Sequence, residues 1–412
     1  MFNIPTEKDY SANWKNLGTL LVYNDKQFQF KSSVVIVELD NCLFDHITPN
    51  KLYDTRNKHN VNFNEEFIKH LSRDSIDKSL VILSNQINQN KLNIDMIKRK
   101  VEALIDKTKL PILAFFALTP NRFSKPHTGM WKLLSAYYKL HASANIQNAI
   151  VVSNEGGLIV ETEKRTGIET KVAFKDTDRA FAHNICADYL TIDEYMDNTY
   201  GNPNFGKKIK FLWDQNIISP DIRNEYYNEI SKITNVNIFR ELGNFKNKDG
   251  YVIIIMGAPR CGKTQLSKTI IKKWRSSDFG KHNEIKRLGL DMYTKGRLFS
   301  IFCKLINDRI SIVLDGCCDT ESQRKEFLNH VKDKNIAVLF IEVNVGFEMA
   351  RVFNHVCVEE SKDEDTVLYK DRLYYIYKSM YRRPRKEEFE NSSYIIYYPR
   401  IDSRDTVMKY RY

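Results

Sequence analysis

With 412 residues, 42% hydrophobic and 12% aromatic, the chain has material for two or three folded domains, which excludes disorder as its default state. The excess of 63 basic over 52 acidic residues, a net charge of +11, suits a polyanionic partner such as nucleic acid without identifying one. Seven scattered cysteines with no C-x-x-C pair give neither a zinc site nor a disulfide framework, and MFNIPTEKDY at the start carries no signal-like apolar run. No segment reaches bilayer length, so the sequence reads as an intracellular protein, nuclear or cytoplasmic, with no membrane anchor.

Buried-strand patterns come first at Ser33–Leu39, Leu80–Ser84, Ile112–Leu118 and Ala149–Ser153, separated by helical stretches that include Leu92–Lys107 and Met130–His141. Strands alternating with helices predict an α/β domain with a parallel sheet covered on both faces. The pattern weakens between Asn198 and Gly250, where Gly201, Pro203 and Gly206 are turn signals and one helix near Asp221–Lys232 is expected. This stretch reads as a connector, which sets the predicted boundaries at 1–200, 201–249 and 250–412. A second α/β series starts at Tyr251, has strands at Ile310–Leu314 and Ala337–Val343, and ends in a Tyr- and Arg-rich segment, Tyr369–Arg385. That segment mixes aromatics with cations as single-strand binders do, and a lid helix packing its tyrosines fits equally well. Trp14, Trp131, Trp213 and Trp274 read as core residues. The cations Lys268, Lys272, Lys273 and Arg275 read as solvated more readily than as phosphate-facing.

The apolar run Tyr251–Met256 breaks at Gly257 and continues APRCGKT, the G-x-x-x-x-G-K-[ST] spacing of a nucleotide phosphate loop. Gly257 and Gly262 let backbone N–H groups curl around phosphate, Lys263 reaches the β/γ oxygens, and the Thr264 hydroxyl is a Mg²⁺ ligand. ATP or GTP with Mg²⁺ is therefore expected. Phosphoryl transfer also needs a metal carboxylate, a base and further cations. Asp315, closing the apolar run Ser311–Leu314, can hold Mg²⁺, or can be a turn residue. Asp291 stands where an acceptor-activating base can sit, or is the N-cap of a helix starting near Met292. Arg324 either reaches the phosphates or lies on a solvated helix face.

The order GAPRCGKTQ, LGLDMYTKGR, VLDGCCDTESQR, EMARVFNHV and MYRRPRKEEF resembles the kinase domain of the polynucleotide kinase 3′-phosphatase family over nearly all of the second half. The first half resembles the phosphatase domain of the same family through VIVELDNCLF, VILSNQIN, KPHTGMWKLL and KDTDRAFAHNI. The resemblance implies an N-terminal haloacid-dehalogenase-like, Rossmannoid parallel sheet and a C-terminal P-loop NTPase-type parallel sheet. It implies an ATP- and Mg²⁺-dependent kinase acting on 5′-hydroxyl ends of DNA or RNA in end processing or repair. Lys263 and Thr264 then serve ATP and metal, Asp291 is the base and Arg324 the family's arginine after Asp315. No forkhead-associated module is expected ahead of the phosphatase frame.

The departures matter chemically. Glu38 stands at the nucleophile position, and its extra methylene moves the carboxylate by more than about 1 Å, enough to cost on the order of 10²-fold in rate. Asp40 is kept, Asn41 and Cys42 replace the motif's glycine and hydroxyl, and Asn154 with Glu155 stands where a metal aspartate belongs. Ser84 and Lys125 remain to grip phosphate. The first half is thus expected to be an inactive phosphatase frame, a structural or DNA-holding remnant, with a phosphatase that uses Glu38 as its nucleophile as the alternative. In the kinase half, Gly316–Cys318 and the lid residues His355 and Cys357 depart from the family pattern, while Asn354 matches it. These favour a second reading, a catalytically degenerate nucleic-acid-binding or structural protein.

Overall fold

A computed structural model describes residues 11–44, 63–87, 91–143, 145–154, 158–162, 169–173, 176–197, 220–245, 247–363, 365–385, 388 and 392–399. Trp213, Glu155 and the connector signals Gly201, Pro203 and Gly206 lie outside them. The chain divides into two compact units, 1–217 with 357–368 and 409–412, and 218–356 with 369–408.

In the first unit the strands are β1 (Trp14–Asn16), β2 (Leu20–Asn24), β3 (Ser33–Val37), β4 (Ser79–Asn85), β5 (Ile112–Ala117), β6 (Asn148–Val152), β7 (Leu158–Thr162), β8 (Glu169–Ala173) and β9 (Asp188–Leu190). Seven form one sheet in the order β1-β2-β5-β4-β3-β6-β9, and β7 pairs with β8 as a separate hairpin. From β5 to β9 every pairing is parallel. The parallel sheet expected from Ser33 onwards is extended at one edge, where β2 joins β5 antiparallel and β1 joins β2 antiparallel. A parallel neighbour needs a crossover of a dozen or more residues, and only the Leu17–Thr19 turn separates β1 from β2.

The continuous apolar runs are divided between two cores by the two-residue period of a strand. Val35, Val37, Ile82, Ala114 and Phe116 face one core, and Val34, Ile36, Val81, Leu83 and Phe115 the other. Both faces are thereby covered. Sequential strands β3, β4 and β5 run one way from β3, while β6 and β9 run the other, so the carboxyl end of β3 sits at a topological switch point, where open α/β sheets place their sites.

The second unit holds β10 (Gly250–Met256), β11 (Ile285–Gly289), β12 (Ser311–Asp315), β13 (Ile336–Val343) and β14 (Ser392–Tyr397), all parallel in the order β11-β12-β10-β13-β14. The helix Lys263–Arg275 buries Leu266, Ile270 and Trp274 at i, i+4 and i+8. Trp274 is fully inside, donates from Nε1 to the Asn283 carbonyl at 2.7 Å, and packs on Tyr251 with ring centroids 5.6 Å apart. Trp14 and Trp131 pack against the first unit's cores, while Lys268, Lys272, Lys273 and Arg275 are exposed.

Candidate active site

The phosphate loop lies between β10 and the helix Lys263–Arg275. Gly257 has φ +146, and a Cβ there would stand 2.7 Å from both the Cys261 sulfur and the Val343 carbonyl oxygen, so no other residue fits without moving backbone. Gly262 has φ +97 and precedes the helix directly. Lys263 Nζ donates to the carbonyls of Gly257 and Ala258 at 2.6 and 2.8 Å, so the ammonium lies in the concavity of the loop. Thr264 is exposed on the first helical turn. With the helix's positive end, these groups make an anion cradle.

Asp315 closes β12 beside β10, in register with Ile255, and is 4% exposed. Its Oδ2 accepts from Ser267 Oγ at 3.1 Å and from Arg287 Nε and Nη2 at 2.9 and 2.6 Å. Ser267 Oγ in turn donates to the Thr264 carbonyl at 2.8 Å. The same Nη2 also holds Asp291, at 2.9 and 2.8 Å from its two oxygens. Burial works against the Arg287 charge, but the bonds to Asp291 and Asp315 more than offset it and raise its pKa.

Asp291, Asp315 and the loop helix are thus linked through Arg287 and Ser267. Asp291 is not a helix N-cap. The helix expected near Met292 begins at Lys295 behind Thr294, and Met292 and Tyr293 instead donate to the Gly289 carbonyl in a turn.

Arg324 corrects the solvated-face alternative read from sequence. It is wholly buried, donates from Nε and Nη2 to the two oxygens of Glu388 at 2.7 and 2.8 Å, and reaches the Cys318 carbonyl at 3.2 Å. A Thr320–Gln323 capping box sets the helix Glu321–Val331, which puts Arg324, Phe327, Leu328 and Val331 on one buried stripe. That i, i+3, i+4, i+7 spacing is visible in the sequence and places the arginine on the inward face. Asp319 escaped notice too: its Oδ1 lies 3.4 Å from the Gly257 amide, and burial raises its pKa against the pull of Lys263.

Arg351 and Arg383 of the lid region are also paired with carboxylates. Arg351 bonds Asp371 at 3.1 and 2.9 Å and Glu348 at 3.2 Å, and Arg383 bonds Glu342 at 2.9 and 3.1 Å. Asn354 exchanges two hydrogen bonds with the Tyr369 backbone and fixes the start of the helix Asp371–Met380. His355 is half-buried and Cys357 exposed.

In the first unit, Glu38 follows β3 and is succeeded by one wide helical turn, Leu39–Leu43. The Ser84 hydroxyl and the Lys125 ammonium both donate to its carboxylate. Lys125 Nζ also lies 2.5 Å from Asp178 Oδ1, with all three side chains almost completely enclosed. One ammonium facing two buried carboxylates leaves one of them favouring a proton. Burial, aided by the Asp178 charge, pushes Glu38 up to about 8, whereas the two carboxylates keep Lys125 charged despite burial.

Asp40 accepts from Lys100 Nζ and from Gln86 Nε2, each at 2.6 Å, and is more open. Asn85 exchanges hydrogen bonds with the Lys125 backbone at 2.9 and 2.8 Å, setting the loop that delivers the ammonium. Asn154 is exposed after β6, and Cys42 is buried, 3.8 Å from the Val152 carbonyl. Among the described residues no cluster of three or more His, Cys, Asp or Glu could hold a metal ion, and no helix is long and apolar enough to cross a membrane. Asp178 is the residue missed here. Its position three and four residues, one helical turn, before Phe181 and Ala182 puts it on the buried face of the helix Thr177–Asn184.

Residues 33–196, covering β3 to the helix after β9, match the family model described as polynucleotide kinase 3 phosphatase. That stretch of the chain is similar to the polynucleotide kinase 3′-phosphatase family. The bifunctional polynucleotide phosphatase/kinase of Schizosaccharomyces pombe is 22% identical over 285 residues, which are 68% of this chain and 60% of that relative's length. Among solved structures, Kti12 of Chaetomium thermophilum in complex with ADP-AlF3 shares 13% identity over 38% of this chain and 95% of its own, with a TM-score of 0.30. A hexameric APS kinase of Thiobacillus denitrificans shares 10% over 75% and 59%, with a TM-score of 0.20.

Proposed function

We propose that the second unit is an ATP-dependent kinase of nucleic-acid 5′-hydroxyl ends, and that the first is a phosphatase frame, haloacid-dehalogenase-like in kind, without turnover. The observation that carries the kinase reading is the hydrogen-bonded series Asp291–Arg287–Asp315–Ser267–Thr264, which brings a base candidate and a metal carboxylate to the phosphate loop. Loop amides and Lys263 hold the β- and γ-oxygens of ATP. Asp291 takes the proton of the 5′-hydroxyl as that oxygen attacks the γ-phosphorus, and ADP departs.

The donor set fits magnesium travelling with the nucleotide, because that ion keeps most of its shell as phosphate oxygen and water and needs only one or two protein oxygens. Thr264 and Asp315 would hold it, and the chemistry it supplies when bound is neutralisation of the β/γ charge.

For the first unit, the supporting observation is that Glu38 already occupies the grip of Ser84 and Lys125. A side chain bound there, with burial favouring its protonated form, fills the place of a phosphate and is a poor in-line nucleophile. Incubation with labelled ATP and a 5′-hydroxyl oligonucleotide, beside a 3′-phosphate oligonucleotide, tests both halves. Label transfer without phosphate release is expected, and absence of transfer overturns the kinase. A second reading, a degenerate nucleic-acid-binding scaffold, is favoured by one observation: Arg324, Arg351 and Arg383 are all committed to carboxylates. Binding of the oligonucleotides with neither activity would support it.

A further inference from the structure

The arginine of β11 has no part in the motifs that identify the loop, yet it touches both carboxylates of the site. β11 is an edge strand paired only with β12 among the described strands, and Arg287 stands opposite Val313 in that pairing. Its side chain is 11% exposed, between Asp315 at 2% and Asp291 at 55%. Two carboxylates this close repel, and a guanidinium fork is the side chain that can satisfy both at once, because it is planar, permanently charged and rich in donors. The turn is shaped for it: a Cβ at Gly289 would lie 2.4 Å from Asp291 Oδ1 and 3.2 Å from Arg287 Nη2.

Left alone, an aspartate more than half exposed on a turn samples several rotamers, and a base in the wrong rotamer does not face its hydroxyl. We propose that Arg287 is the positioning residue of the transfer reaction: by binding Asp315 and Asp291 on one fork, it fixes the base against the metal carboxylate and hence against the phosphate loop. The inference rests on the kinase reading and assigns Arg287 no contact with substrate. Charge alone is insufficient for this role, because a lysine ammonium is a flexible point charge without fork geometry.

The test uses the full chain and the variants Arg287→Lys, Arg287→Gln, Asp291→Asn and the double variant Arg287→Lys with Asp291→Asn. Arg287→Lys and Arg287→Gln should each lower kcat on a 5′-hydroxyl oligonucleotide by roughly 10²-fold, the cost of a base misplaced by about 1 Å, with KM for ATP within about twofold. Because Arg287 acts through Asp291, adding Arg287→Lys to Asp291→Asn should cost less than about threefold more. Full multiplication of the two losses overturns the proposal, as does Arg287→Lys at wild-type kcat.

Hydrogen exchange on the same proteins without substrate gives a second readout. Arg287→Gln should speed exchange across 290–294 while β10 and the helix Lys263–Arg275 keep their protection. Uniformly faster exchange through the sheet marks a merely structural arginine, and unchanged exchange at the turn marks one that positions nothing. If the wild-type protein transfers no phosphate, the kinase reading fails, and the exchange at 290–294 still decides whether Arg287 fixes Asp291.

Discussion

Lys125 places its ammonium between Asp178 and Glu38, two enclosed carboxylates, and no other cation is bonded to either among the described residues. Removing one member of a buried charge group leaves the rest uncompensated, which costs about 3–5 kcal/mol. Lys125→Met should therefore lower unfolding free energy by about that amount in a denaturant titration. A change below about 1 kcal/mol would mean that water reaches the cluster and screens it.

The same cluster makes stability depend on pH. Glu38 has its pKa raised from the usual carboxylate value to about 8 by burial, so the folded chain retains a proton that the unfolded chain has already lost. Stability must then fall as pH rises between about 4.5 and 8, and flatten above that window. Unfolding midpoints measured across it should slope less in Glu38→Gln than in the wild type. Equal slopes would show that Glu38 ionises normally.

In the second unit, Lys263→Ala deletes the ammonium in the loop and should abolish both transfer and tight nucleotide binding. Asp291→Asn should lower kcat by about 10²- to 10⁴-fold while calorimetry finds ATP affinity near normal, since the base acts only on the acceptor. Wild-type turnover in Asp291→Asn would remove the aspartate from its proposed role.

Arg324 separates a folding role from a catalytic one. Its bidentate pair with Glu388 is buried, so Arg324→Met should destabilise by about 3–5 kcal/mol through the stranded carboxylate. Arg324→Met with Glu388→Leu should recover most of that loss, because the stranded charge is gone. Retained transfer in the refilled double variant would show that the arginine serves the fold; loss of transfer at normal stability would return it to the chemistry.

What the sequence made legible followed from periodicity. The run Tyr251–Met256 lies in β10, and its glycine break leads into a helix with Leu266, Ile270 and Trp274 inward, because a central strand is apolar on both faces and the next helix on one. Edge elements escaped. β11 sets Lys286 and Arg287 beside Leu288 and β14 is a short run of Ser, Tyr and Ile, so neither carries the apolar run of a buried strand, whereas β2 carries one and only its antiparallel pairing lies beyond the local pattern. The Arg287 bridge was invisible for the same reason: its meaning depends on β12 and a turn that local spacing does not bring together. Arg324 and Asp178 were readable as inward-facing from their helical stripes, but a charged residue on an apolar stripe discloses its partner only in three dimensions.

Glu38 carries a consequence for how this protein can change over generations. A cavity that keeps a permanent cation must keep an acceptor for its donors, and here Glu38 shares the Lys125 ammonium with Asp178. Substitutions that replace this glutamate by an apolar side chain would strand the Ser84 and Lys125 donors that share it, and so act on the first unit's solidity before they act on any reaction.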